Sequence, residues 1–303
     1  ARRFIRERGA PIVVKADGLA AGKGVIVART EEEALEAAEG MLSGRAFGDA
    51  GRTVVVEDCL TGEEASFIVM VDGERILPLA TSQDHKARDD GDVGPNTGGM
   101  GAYSPAPVVT PEMDERIMAE VIEPTVRGMA EDGHPYTGFL YAGLMIGDDG
   151  VPRVLEYNCR FGDPETQPIL LRLRSDLVEL CGAALEGGLG GVRADWDARA
   201  SLGVVMAAGG YPEAYRKGDP ISGLPETEGD DLKVFHAGTE LREGRVVTAG
   251  GRVLCVTALG ATVEEAQTRA YEQARRISWD GAYFRTDIGR RAVARERAPR
   301  PKA

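Results

Sequence analysis

Apolar and polar positions fall along this chain in blocks that read as short strands and a few amphipathic helices. Residues 1–8, Ala1-Arg2-Arg3-Phe4-Ile5-Arg6-Glu7-Arg8, read as a helix already under way. Pro11-Ile12-Val13-Val14-Lys15-Ala16 is a strand, Asp17 to Gly24 a Gly-rich turn, and Val25 to Ala28 a second strand. Thr30 with Glu33 three residues on marks a reciprocal cap for a helix that runs to Leu42. Thr53 to Glu57 is a third strand. Ala65 to Val71 and Arg75 to Leu79 pair through a turn at Asp72-Gly73. Gln83 to Tyr103 is long, polar and Gly-rich, and little secondary structure is expected there.

Further on, Pro111 to Met129 reads as a helix. Thr137 to Ile146 and Pro152 to Asn158 form a hairpin around Asp148-Asp149-Gly150. Ser175 to Leu185 is another helix. The run Glu186-Gly187-Gly188-Leu189-Gly190-Gly191 is the best boundary. Beyond it come short strands (Ala200–Ala207, Val234–Ala237, Arg252–Ala258) and a helix from Thr262, again with a Glu three residues later, to Arg276. The Arg- and Pro-rich tail after Arg290 is expected to fray. Three parts are therefore expected: 1–60, 61–190 and 191–303, each mixing helix and strand.

Composition narrows the class. The chain has 303 residues, with Asp plus Glu at 49 and Lys plus Arg at 36, a net charge of −13. That excess argues against a nucleic-acid binder working through a wide basic face. No apolar run approaches the ~18 residues of a membrane helix, so no membrane role is expected. The 43% apolar share is enough for real cores. Four Cys, at 59, 159, 181 and 255, have no clip-like spacing, which fits reduced thiols and a cytoplasmic setting. Gly, at 40 residues, is abundant, and predicts tight turns or close backbone approach to a ligand.

Four stretches carry candidate chemistry. In Lys15 to Val25, the spacing is not that of a P-loop, yet Gly22 and Gly24 beside Lys15 and Lys23 let a strand–turn–strand fold over phosphates; an ordinary hairpin with surface lysines fits equally. In Arg153 to Glu165, strand alternation sets Glu156, Asn158 and Arg160 on one face and Leu155, Tyr157 and Cys159 inward on the other. A carboxylate with an amide oxygen suits Mg²⁺, and Arg160 would grip a carboxylate or phosphate; a solvated edge strand is the plain alternative. The loop Ser82-Gln83-Asp84-His85-Lys86 to Tyr103 offers glycine N–H groups to an anion and Asp84 to an amine; taken by itself, a mobile surface loop is the favoured reading. Val54 to Glu64 reads as a hinge whose backbone reads adenine while Glu64 holds ribose hydroxyls, or as a charged connector.

In this order the four stretches resemble the ATP-grasp enzymes. Their wording is similar to the phosphoribosylamine–glycine ligase family, above all in Gly94-Pro95-Asn96-Thr97-Gly98-Gly99-Met100-Gly101-Ala102-Tyr103 and Cys159-Arg160-Phe161-Gly162-Asp163-Pro164-Glu165-Thr166-Gln167. The likeness runs from about Gly9 to Ala294. It implies an α+β ATP-grasp fold, two subdomains clasping ATP (1–60 as the lid, 61–190 with the metal and substrate sites), followed by a small β-rich C-terminal domain, 191–303. It implies ligation of glycine to 5-phosphoribosylamine with ATP as cosubstrate and Mg²⁺ or Mn²⁺ as metal, through glycyl phosphate, in purine biosynthesis.

The resemblance also assigns roles. Lys15, Gly22, Lys23, Gly24, Glu57, Asp58, Leu60 and Glu64 would bind ATP. Glu156 and Asn158 would hold the metal, and Arg160 would be catalytic. Asp84, Lys86, Asn96, Thr97, Gly98, Gly99, Met100, Arg160, Asp163 and Pro164 would bind the substrates. Two departures stand out. The strand Ala142 to Ile146 lacks the second acidic ligand of many ATP-grasp enzymes. Family members also begin with another α/β domain and a lysine-bearing helix, not found here, which would complete the site. A nucleotide-binding fragment without full activity, or another ATP-grasp carboxylate–amine ligase, formate-using or biotin-type, is the alternative.

Overall fold

One face of a small sheet supplies the first core. Helix α1 (Arg2–Arg8) precedes β1 (Ile12–Ala16), β2 (Val25–Ala28), α2 (Glu31–Leu42) and β3 (Val54–Asp58). The strands are antiparallel in the order β2-β1-β3. Ile12 and Val14 alternate onto one face and bury with Ile5, Ala28, Ala34, Ala38 and Met41. The cap of α2 is reciprocal, as expected: Thr30 Oγ1 accepts from the Glu33 N–H, and the Glu33 carboxylate accepts from the Thr30 N–H. These elements make one unit, Ala1–Thr61, and the rest make a second, Gly62–Ala303. The computed structural model describes residues 1–20, 24–227 and 229–298.

In the second unit the chain runs β4 (Glu63–Asp72), β5 (Ile76–Pro78), β6 (Gln83–Asp84), β7 (Ala87–Asp89), β8 (Val93–Asn96) and β9 (Gly101–Ser104). Helices α3 (Pro111–Ile117) and α4 (Glu123–Glu131) follow, then the hairpin β10 (Thr137–Ile146) and β11 (Pro152–Asn158). The expected single helix is interrupted by a widened π turn at Met118–Ile122. Pro124, which has no N–H to donate, sits just beyond it. A sheet of order β11-β10-β4-β5 results, antiparallel throughout. Phe67, Val69 and Val71 on β4 pack under α3 and α4, while Ile68 and Met70 pack on the opposite side. Cover on both faces explains the unbroken apolar run at residues 67–71 of β4.

The chain continues through α5 (Thr166–Arg172), α6 (Leu177–Leu185), β12 (Ala200–Ala207), β13 (Leu232–His236), β14 (Thr239–Arg242), β15 (Arg245–Thr248), β16 (Arg252–Gly260), α7 (Val263–Ala274) and α8 (Arg290–Arg297). A five-stranded sheet has the order β13-β16-β12-β9-β6. This corrects the expectation of a structureless stretch at 83–103. That stretch holds four short strands, and two of them pair into the C-terminal sheet. The expected segments 61–190 and 191–303 therefore share a core and do not part cleanly at Glu186 to Gly191. Helix α5 was missed. The tail does not fray over Arg290–Arg297: it is helical, and Ala292 and Val293 are buried. Thr262 caps α7 as expected, but Glu265 reaches the Ala261 N–H, so the second half of the box is displaced by one residue. All four Cys are free. Among the described residues no helix is long and apolar enough to cross a membrane.

Candidate active site

In the first unit, the β1–β3 register pairs Val13 with Glu57 and Lys15 with Val55. Glu57 thus shares a face with Lys15, and Lys15 Nζ lies 2.5 Å from Glu57 Oε2. Asp58 is exposed near Arg8, and Leu60 is half-buried just before the end of the unit. The Gly24 carbonyl accepts from the Ala16 N–H at 2.8 Å. A Cβ on Gly24 would come within 2.6 Å of the Ala20 Cβ, so this closure requires glycine. Gly22 and Lys23 lie outside the described residues.

In the second unit a polar centre forms where β4, β6 and β11 approach. Lys86 Nζ sits 3.0 Å from Glu64 Oε2. Burial alone would lower the Lys86 pKa, but Asp84, Glu64 and Glu156 outweigh it and hold the ammonium above the ordinary lysine range. Burial raises the Asp84 pKa; Lys86 opposes the rise, and Glu165 and Glu64 add to it. Glu165, almost fully buried, is also pushed up by burial, although Ser66 Oγ donates to its Oε1 at 2.8 Å. A cavity of about 230 Å³ gathers the predicted residues Glu64, Asp84, Lys86 and Asn96, with Asp92 and Arg291 beside them.

Sequence reasoning missed His85, Glu165 and Arg291 here. His85 lies in the run Ser82 to Lys86, Glu165 in Cys159 to Gln167, and Arg291 in the Arg-rich tail. His85 Nε2 accepts from the Gly289 N–H at 3.3 Å, and its Nδ1 is buried without a partner. Burial, with Arg285 nearby, lowers its pKa to about 4, so the ring is neutral at pH 7.

Strand β11 is the edge of its sheet. A bulge between Gly143 and Leu144 on β10 leaves Leu155 as the extra residue opposite them. The bulge displaces Leu155 alone: Glu156 and Asn158 still pair with Gly143 and Tyr141 on one face, and Tyr157 with Ala142 on the other, as expected. Tyr157 does not pack inward but is 40% exposed, its hydroxyl 2.7 Å from Thr125 Oγ1, and Cys159 is exposed as well. Glu156 and Asn158 nevertheless stay together, with Asn158 Nδ2 3.4 Å from Glu156 Oε1. Among the described residues no three His, Cys, Asp or Glu cluster as a metal cage. Two oxygen ligands fit an ion that keeps waters and takes phosphate oxygens, as Mg²⁺ does. Arg160 is exposed, and among the described residues it donates to the Phe161 carbonyl at 2.8 Å.

The glycine loop is not an anion cradle. The Thr97 N–H goes to the Lys86 carbonyl, the Gly98 N–H to the Tyr211 hydroxyl, the Gly99 N–H to Thr97 Oγ1, and the Met100 N–H to the His85 carbonyl. The Met100 side chain is fully buried among Tyr103, Leu202 and Ile288 and so, against expectation, does not face the cavity. The Asp163 carboxylate accepts from Arg252 through both oxygens, at 3.0 and 2.8 Å. Gly99, at φ 108°, lets the loop close on Pro164; a Cβ there would meet the proline Cδ at 2.3 Å.

The family described as "Phosphoribosylglycinamide synthetase, ATP-grasp (A) domain" matches residues 1–166, and "Phosphoribosylglycinamide synthetase, C domain" matches residues 201–291. A phosphoribosylamine–glycine ligase of Vibrio parahaemolyticus is 70% identical over 293 residues, 97% of this chain and 68% of that protein. The chain belongs to the phosphoribosylamine–glycine ligase family. A Thermotoga maritima family member of known structure superposes with a TM-score of 0.86 at 38% identity, covering 95% of this chain and 71% of that one. The biotin carboxylase domain of a Hydrogenobacter thermophilus 2-oxoglutarate carboxylase, crystallised with MgADP, shares the fold alone: TM-score 0.69, 18% identity, 93% and 60% coverage. The resemblance read from the sequence is borne out. The function is that of the family, an ATP-using ligation in purine biosynthesis.

Proposed function

We propose that this chain joins glycine to 5-phosphoribosylamine through glycyl phosphate, with the polar centre of the second unit at the point of reaction. The observation that carries the reading is the convergence of Glu64, Asp84, Lys86 and Asn96 on one cavity. A carboxylate acylates amines poorly, so ATP first makes it an acyl phosphate; the amine then attacks and phosphate leaves. Phosphoryl transfer needs positioning and charge neutralisation more than covalent help.

Lys15, Gly22, Lys23 and Gly24 would take the phosphates, Glu57, Asp58 and Leu60 the adenine, and Glu64 the ribose. Glu156 and Asn158 would hold Mg²⁺ or Mn²⁺, which when bound neutralises charge on the transferring phosphoryl group. The fold relative crystallised with MgADP supports that metal. Arg160, exposed and with its fork largely uncommitted, steadies the substrate carboxylate and the developing charge. Asp84 takes the glycine ammonium: the incoming positive charge offsets the burial that raises its pKa. Lys86 and Asn96 orient the second substrate. Thr97, Gly98, Gly99, Asp163 and Pro164 support the second substrate's side of the site, their polar groups being largely engaged by Lys86, Tyr211 and Arg252.

The test is ADP release coupled to product formation, with freshly made phosphoribosylamine. Glycine-dependent ADP release that falls sharply in Glu156→Ala, with weakened Mg-ATP binding, is expected. Equal release with formate would overturn the substrate assignment, and unchanged nucleotide affinity in Glu156→Ala would overturn the metal assignment.

A further inference from the structure

Arg252 is the first residue of β16, and none of the roles above uses it. Its side chain is 22% exposed and holds two separate stretches of chain at once. Nη1 donates to the Gly98 carbonyl at 2.6 Å and to Asp163 Oδ1 at 3.0 Å; Nη2 donates to Asp163 Oδ2 at 2.8 Å. A planar fork fits a carboxylate in this two-bond fashion, and an ammonium does not. The fit is tight, since a Cβ on Gly98 would lie 2.7 Å from the guanidinium. On the other side of the same peptide, the Gly98 N–H donates to the Tyr211 hydroxyl at 3.0 Å. The C-terminal part of the chain therefore grips Gly98 from both its N–H and its carbonyl.

The two stretches so joined are the ones that matter chemically. Gly98 lies two residues beyond Asn96, which lines the cavity. Asp163 lies five residues beyond Asn158 and three beyond Arg160. We infer that Arg252 is a positioning residue for the ligation: it braces the 97–99 loop to the turn after β11, so that Asn96 and Arg160 keep one relative geometry. Arg252 spends its donors on protein oxygens, so it acts through these segments rather than on substrate. The inference rests on the site reading above.

The test compares Arg252→Gln, Arg252→Lys, Asp163→Asn and the double variant Arg252→Gln/Asp163→Asn in the purified protein. Displacing reacting groups by about 1 Å can cost about 100-fold. Arg252→Gln is expected to lose about that much kcat/KM for glycine and the amine, while KM for ATP stays within about twofold. The acyl phosphate would also leak to water, returning glycine and phosphate, so ADP formed per ligated product rises above one. Arg252→Lys should rescue part of the loss, and the double variant should be no worse than Arg252→Gln alone. Thermal melts establish that each variant folds. A folded Arg252→Gln with normal kcat/KM and one ADP per product overturns the inference. So does a KM for ATP that rises in step with the others, the signature of general loosening. Full activity in Glu156→Ala would instead remove the site reading itself, which separates the two failures.

Discussion

Arg285→Met should destabilise the second unit by about 3 kcal/mol, toward the lower end of the ~3–5 kcal/mol measured when one partner of a buried ion pair is removed. Arg285 is fully buried. It pairs with Asp92 at 2.8 Å and Asp287 at 2.8 Å, and donates to the Ala87 carbonyl at 2.9 Å. Methionine fills much of the volume but leaves that carbonyl and both carboxylates short of donors, costing about 1–3 kcal/mol for each group left truly unsatisfied. The full sum is not reached, because Asp92 keeps Arg290 and Arg291, and Asp287 keeps the Gly91 N–H. Both Trp residues, 196 and 279, lie in the second unit, so tryptophan fluorescence in urea reports on it directly. At a slope of about 3 kcal/mol per M, the midpoint should fall by about 1 M. A shift corresponding to less than about 1 kcal/mol would refute the reasoning. It would mean the acidic hairpin β7–β8 is not anchored through this side chain.

Gly99→Ala should cost both stability and activity, because the loop must retreat from Pro164 and adopt φ 108° with a side chain; about 2–4 kcal/mol is expected in the same urea assay, and wild-type stability would show that the closure is looser. Asp92 gives an acid-sensitive link. Burial works against its ionisation, but hydrogen bonds from Arg285, Arg290 and Arg291 hold its pKa far below the usual carboxylate range. A depressed folded pKa means the stabilisation is present above about pH 4 and is lost as pH falls below it. Asp92→Asn should therefore flatten the decline in stability between about pH 4 and 2; an unchanged acid limb would show that other carboxylates dominate.

The long-periodicity elements were legible because their signals are local. The Thr30–Glu33 cap, the buried run of β4 and the hairpin β10–β11 each follow from a few neighbouring residues. The 83–104 stretch was not legible for the opposite reason. Strands β6 and β9 are two and four residues long, and β9 finds its neighbour, β12, about a hundred residues later. Met100 and Tyr103 were read with a binding loop because of the glycines around them, yet they are core. The tail was misread from composition alone. Among the described residues its arginines find distant partners, Arg291 with Asp92, Arg295 with Glu63 and Arg297 with Glu264, and no local pattern announces them. In β11 the alternation of Glu156 and Asn158 against Tyr157 was legible, but the bulge at Leu155 and the strand's place at the sheet edge, which leave Tyr157 exposed, were not. The glycine loop misled in the same way: its composition suggests free N–H groups, and its tertiary partners use them up.

The insertion of β9 between β12 and β6 bears on how this chain can be taken apart. The stretch matched by the C-domain family, 201–291, reads as a transferable module. Cut out on that boundary, it would carry β12 without its first residue, and every residue of that strand is buried, with the flank that β9 covers left bare. An open, wholly apolar strand edge invites other chains to pair with it. Such an excised piece should aggregate unless residues 83–104 travel with it. Gene fusions and domain swaps that respect the sequence boundary would break the protein, while those that keep the earlier stretch would not.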